Sequence, residues 1–148
     1  MLCLAIAAIA TPTATARGTA LTRSETALVR AINAARIHRG VPALRVDPRL
    51  VRAARANSAR MLRTGNFSHD DFMRRFRRFG VRGRMFGENL AWGTGVVGAA
   101  EAVGMWLASP GHRENLLDRG FHRIGIATPV GRFGAVPAAT LMTTDFAG

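Results

Sequence analysis

The chain has 148 residues and carries 21 basic side chains, all arginine, against nine acids, for a formal net charge of +12. That length suits one domain able to bury about two-thirds of its unfolded surface, and the ordinary apolar content excludes a disordered chain. The charge favours anionic partners (nucleic acid, anionic lipid, acidic polysaccharide) and says nothing of mechanism. The single cysteine, Cys3, excludes a disulfide framework.

Residues 2 to 10, "LCLAIAAIA", form an apolar run of nine, far short of the roughly 20 residues that span a bilayer. The run has the length of a signal-peptide core, and "ATA", Ala14 to Ala16, follows as a small-residue cleavage site. No positive segment precedes the run. The expectation is a signal peptide over residues 1–16, a short segment over 17–21 and a domain over 22–148, secreted or periplasmic, with no transmembrane segment. Cleavage after Ala16 would leave no cysteine, and so no thiol nucleophile. Cys3 does not stand in a lipoprotein-like context.

"TRSETALVRAINAARIHRG" reads as a first helix. Thr22 and Glu25 have capping-box spacing, Leu28, Ala31, Ile32 and Ala35 form the apolar stripe, and Gly40 stops it. "VPALRV" is a short extended connection. In "DPRLVRAARANSARMLRTG", Asp47 is placed to cap a second helix, Pro48 to open it and Gly65 to end it. Leu50, Ala54, Met61 and Leu62 face inward, with Ser58 or Asn57. "DDFMRRFRRFG" is a short third helix with Phe72, Phe76 and Phe79 on one face and Arg74, Arg75, Arg77 and Arg78 mostly on the other. That basic face is either solvated or turned to a membrane or nucleic acid.

"VRGRMFGENLAWGTG" reads as loop with a short strand at "NLAW". "GAAEAVGMWLAS" is a fourth helix weakened by Gly104, and Ser109 with Pro110 starts another. "HRIGIATPV" and "AATLMTTDF" are β-branched runs around the turn "GRFGAVP", an antiparallel hairpin. Helices first and strands last make the class α+β.

Four histidines bear on chemistry. His38, late in the first helix, is favourable there as imidazolium, and a structural role suffices. His122 opens a strand and reads as surface or cap. His69 follows "NFS" in a loop, where it can be aimed into a cleft. His112 is the third residue of the helix begun at "SPGH". A helix N-terminus disfavours imidazolium and keeps the ring in the form that binds metal or accepts a proton. Glu88, in "GEN", follows Gly87, which permits a sharp backbone turn. His69, Glu88 and His112 are 19 and 24 residues apart, so only the fold can join them. There is no HExxH, CxxC, Walker loop or GxSxG, and "GTGVVG" lacks a surrounding strand–turn–helix unit.

"GENLAWG", "MWLASPGHRENLL", "RIGIA" and "LMTTDFA", in that order, resemble the bacterial SCP domains of the CAP superfamily, relatives of cysteine-rich secretory and plant pathogenesis-related proteins. "INAARIHRGVPALRVDPRLVRAARANSARMLRTGNFSH" matches the first two helices of that family, and the likeness runs from about residue 22 to 148. The resemblance implies a three-layer α-β-α sandwich with an antiparallel central sheet. It also implies a cleft lined by two histidines and two acids, in which some members hold zinc or another divalent ion. His69 and His112 match the histidines and Glu88 the first acid. Ser109 stands where the second acid belongs, so the set is one carboxylate short. Ser109, Asn89 and Glu114 are expected to line that cleft.

With His69, Glu88 and His112 as ligands and a water fourth, Zn2+ or another divalent cation would bind weakly. Three functions follow. One is a binding module for a small hydrophobic ligand or cell-envelope component. The second is a zinc-assisted hydrolase with His69, Glu88 and His112 as its catalytic candidates. The third is a non-specific binder of anionic polymers, without sequence-specific nucleic-acid recognition.

Overall fold

The computed structural model describes residues 19–148. The signal-peptide expectation, residues 1–16, and Cys3 lie outside the described residues. The chain runs α1 (Arg23–His38), β1 (Arg45–Val46), α2 (Pro48–Thr64), α3 (Phe72–Arg78), β2 (Phe86–Thr94), α4 (Ala99–Ala108), α5 (Pro110–Leu117), β3 (Arg123–Ala127), β4 (Val130–Phe133) and β5 (Val136–Ala147).

The helix ends follow from local chemistry. Thr22 accepts from the Glu25 N–H at 3.2 Å and Glu25 accepts from the Thr22 N–H at 2.8 Å, the reciprocal cap that holds the first turn of α1. The Glu25 carboxylate also accepts from Arg55, which ties α1 to α2. Asp47 caps α2 on the Arg49 N–H at 2.8 Å, and Gly65 ends that helix in the left-handed conformation at φ 67°.

The sheet order is β1-β3-β5-β2, with β4 also paired to β5. All pairings are antiparallel except β1 with β3, which is parallel. The sheet is therefore mixed, a correction to the purely antiparallel expectation. β1 and β3 are joined by residues 47–122, which hold α2 to α5, a crossover long enough to set two strands in parallel, which a tight turn cannot do. The hairpin is also redistributed. Most of "GRFGAVP" is strand, with Gly134 and Ala135 left as the turn between Phe133 and Val136. β2 extends over nine residues rather than the four of "NLAW" because it pairs with β5 along its whole length.

Alternation along β5 sorts the two faces. Met142 and Phe146 pack with Ile32, Trp106 and Leu116 beneath α1, α4 and α5. Leu141 and Ala147 turn to the opposite face, covered by α2 and α3. The result is the expected α-β-α sandwich. Gly125 lets α2 lie close on β3, since a Cβ there would fall 2.0 Å from the carbonyl carbon of Leu50. β2 lies at the edge of the sheet, with α2 and α3 on one side and α4 and α5 on the other.

Candidate functional site

The loop that carries His69 is pinned from below. Arg60, on α2, donates to the Ser68 carbonyl at 2.7 Å and to the Ser68 hydroxyl at 3.1 Å. Asp70 takes a left-handed turn at φ 52°, which a short polar side chain tolerates. Asp71 then caps α3 on the Arg74 N–H at 2.8 Å. Between these fixed points the His69 ring reaches Glu88, with Nδ1 2.8 Å from Oε1. His69 remains half-exposed, whereas the Glu88 side chain is buried.

Glu88 lies on the α2–α3 face of β2. Its Oε2 accepts from Asn57 Nδ2 at 3.1 Å and from Arg75 Nη2. Arg75 also donates from Nη1 to the His69 carbonyl at 3.1 Å, so a single guanidinium holds both members of the His69–Glu88 pair. Directly across the strand pair stands Asp145, with Oδ1 3.7 Å from Arg75 Nη2. Asp145 is fully buried and neither of its oxygens has a hydrogen-bond partner. Burial, and then the charge of Glu88, push its carboxyl well above the usual carboxylate range. Two facing carboxyls do not both ionise cheaply in a buried site. Glu88, with three donors around it, is the one suited to carry the charge; Asp145, without a donor, keeps the proton. With Nδ1 of His69 on Glu88, the Nε2 atom of that ring is left outside the contact.

His112 is third in α5, as its spacing from Ser109 implies. The Ser109 hydroxyl does not cap the backbone; it lies 2.9 Å from His112 Nδ1, which leaves Nε2 of this ring free as well. Partial burial, and then the nearby His69, hold the His112 pKa below its ordinary value. Asn89 points to the other face of β2. It donates to the His112 carbonyl at 2.8 Å and accepts from Asn115 at 3.0 Å, locking α5 onto the strand. Fully buried, Asn89 braces the site from beneath rather than lining an open cleft. Glu114 is exposed and edges a separate shallow hollow with Arg113 and Asp118.

Among the described residues, no group of three His, Cys, Asp or Glu side chains is disposed to hold a metal ion. Glu88 is already engaged by His69, Asn57 and Arg75, so the donors open to an ion are the two imidazole Nε2 atoms. Beside His112 lies a hollow of about 310 Å3, lined by Phe67, Leu90, Trp92, Met105 and Ser109 among others. Phe67, Trp92 and Met105 are 39%, 38% and 41% exposed, large apolar groups left open to solvent on one rim.

Arg75, Asn57 and Asp145 escape sequence reasoning as site residues. Asn57 is legible only as one of two inward candidates on its helix, and Ser58 is buried too, against Thr143 at 2.8 Å. Arg75 is one of four arginines in a single run and only the fold separates it from them. Asp145 does carry a signal, as an acid inside an apolar strand run with no counter-charge beside it in sequence.

The CAP family, described as the cysteine-rich secretory protein family, matches residues 29–136. The chain is 31% identical over 146 residues to the uncharacterized protein YkwD of Bacillus subtilis (strain 168), covering 93% of this chain and 52% of YkwD. It thus spans about half the length of that relative. An extracellular protein containing a SCP domain from Bacillus anthracis str. Ames shares 27% identity at a TM-score of 0.69, over 84% of this chain and 40% of that one. An outer surface protein from Borrelia burgdorferi, at 20% identity and a TM-score of 0.65, shares the fold over 82% of this chain and 90% of its own.

Proposed function

The chain belongs to the CAP (cysteine-rich secretory protein) family, and from that premise we propose that it is an exported binding module for an amphipathic ligand of the cell envelope. The observation that carries this is the open apolar rim of Phe67, Trp92 and Met105, continuous with His112. A hydrocarbon segment lies along the rim, and a polar head meets the His112 imidazole. Among the described residues no helix is long and apolar enough to cross a membrane, and the extracellular SCP-domain protein of Bacillus anthracis supports export.

A divalent cation at this site would be held by the Nε2 atoms of His69 and His112, with water completing the shell. Glu88 then acts as the outer partner that orients His69 rather than as a ligand. Such an ion would supply a positive anchor for an anionic head group. Two protein ligands hold zinc less firmly than the three or four of established sites.

Trp92 is exposed and Trp106 is buried, so the emission of Trp92 reports on the rim. Titration with alkyl phosphocholines below their micelle concentration should shift that emission to the blue. Affinity should rise about two- to fourfold per added methylene. Phe67→Ser with Met105→Ser, which keeps the Trp92 reporter, should weaken both effects. Affinity independent of chain length would sink the proposal.

A further inference from the structure

A larger groove, of about 650 Å3, lies between α2 and α3, with Arg75 on its wall. Arg60 and Arg63 reach it from α2, and Arg74, Arg75 and Arg78 from α3. The two acids on its wall are otherwise engaged. Asp71 caps α3, and Asp70 lies 3.6 Å from Arg60. Among the described residues, Arg63, Arg74 and Arg78 have no carboxylate partner, and all three are exposed. Arg60 and Arg63 are three apart and Arg74 and Arg78 four apart, so each helix turns a pair of like charges to the same side. Such pairs repel unless an anion lies between them. At the groove wall, the Arg75 side chain is only 9% exposed, and its Nε–H is buried without an acceptor. That donor is unsatisfied by the protein itself.

We propose that this groove is a binding site for a phosphate-bearing anion with more than one charged group, distinct from the apolar rim beside His112. Guanidinium forks match phosphate oxygens in pairs, and a concave site with several of them suits a head group or a short polyphosphate better than a flat surface. Among the described residues, the only aromatic ring on its wall is Phe79, which the Arg78 guanidinium already faces at 5.9 Å from the ring centre. Bases of single-stranded nucleic acid therefore find no free stacking platform.

The test is calorimetric titration of the whole chain with inorganic tripolyphosphate and, separately, with phosphatidylglycerol vesicles. Two variants of equal charge are compared. One carries Arg63→Gln, Arg74→Gln and Arg78→Gln in the groove; the other carries Arg23→Gln, Arg30→Gln and Arg132→Gln on exposed surface elsewhere. The groove variant should lose affinity by about tenfold or more, and the surface variant by less than about threefold. Loss of vesicle binding in the groove variant assigns the phosphate to a lipid head group. Loss confined to tripolyphosphate assigns it to a soluble anion. Equal losses in the two variants would reduce the effect to net charge and overturn the proposal, as would duplex DNA binding more tightly than either probe with equal losses. A second measurement needs no variant. In nitrogen-15 NMR, tripolyphosphate should move the Arg75 Nε–H resonance and the amides of α2 and α3. An unmoved Arg75 signal beside scattered shifts elsewhere would refute the site.

Discussion

Arg36 and Arg75 are both buried arginines, one on each side of the sheet, and the fold treats them differently. Arg36, in α1, donates to the carbonyls of Pro42, Leu116, Asp118 and Phe121 at 2.8, 2.8, 3.1 and 3.2 Å. Two of these acceptors, Leu116 and Asp118, sit at the C-terminal end of α5, where the helix dipole is negative. Burial lowers the Arg36 pKa, and the charge of Asp118 opposes that fall. The arrangement ends one helix on another and leaves nothing for a ligand. Arg75 instead faces two carboxyls, keeps one donor without an acceptor, and lines the groove between α2 and α3. A buried charge closed off by backbone carbonyls is a structural clamp. One held by titratable groups, with a bond left over, belongs to a site.

Replacing Arg36 breaks that comparison most severely. Arg36→Met should lower stability by about 3 to 5 kcal/mol, because buried carbonyls are stranded together. Urea denaturation would measure it. The emission response of Trp92 to alkyl phosphocholine should persist wherever the variant remains folded.

Arg75→Gln should cost less, about 2 to 3 kcal/mol, because Glu88 keeps Asn57 and His69. Adding Glu88→Gln should return part of that loss, a coupling of about 1 kcal/mol or more in a double-mutant cycle. Additive losses would mean that Arg75 acts through packing alone.

Asp145→Asn sharpens the contrast through pH. The folded carboxyl titrates above its ordinary 3.8, so its favourable contribution is complete below that value and is lost as pH rises through the folded pKa. The amide that replaces it cannot ionise. The variant should therefore gain stability relative to the parent as pH climbs from about 3 towards neutrality, read as the difference in melting temperature across that range. A constant difference would contradict a protonated Asp145.

The smallest effect is at His112. Its pKa is depressed from 6.5, so the stability it contributes is present above that value and is lost as pH falls through the folded pKa. Its ring resonance in NMR should titrate below 6.5. His69→Ala should raise that midpoint only partly, because burial, the larger cause, remains.

Much of this molecule is legible before folding, where the cause is local. The Thr22–Glu25 cap, the Asp47–Pro48 start, the Gly65 stop and the placing of His112 in the first turn of α5 each depend on residues within a turn of one another. Order and spacing of motifs along the chain carry the family and the sandwich. The antiparallel hairpin over residues 122–146 is legible as well, but the remaining strand pairings are beyond reach. A parallel β1 and a nine-residue β2 are set by partners distant along the chain, whose backbone groups the sequence pattern does not display.

The same boundary divides the site. Sequence alone determined that His69, Glu88 and His112 were present and that each stood where a side chain could be aimed. Tertiary structure decided what each one faces. It set Glu88 opposite Asp145, brought Arg75 out of a run of four arginines to hold it, and turned Asn89, one residue further along β2, to the other side of the sheet. The physical reason is the two-residue period of a strand combined with charge burial. A one-residue step reverses the face, and a carboxylate under a helix persists only where the fold delivers donors to it.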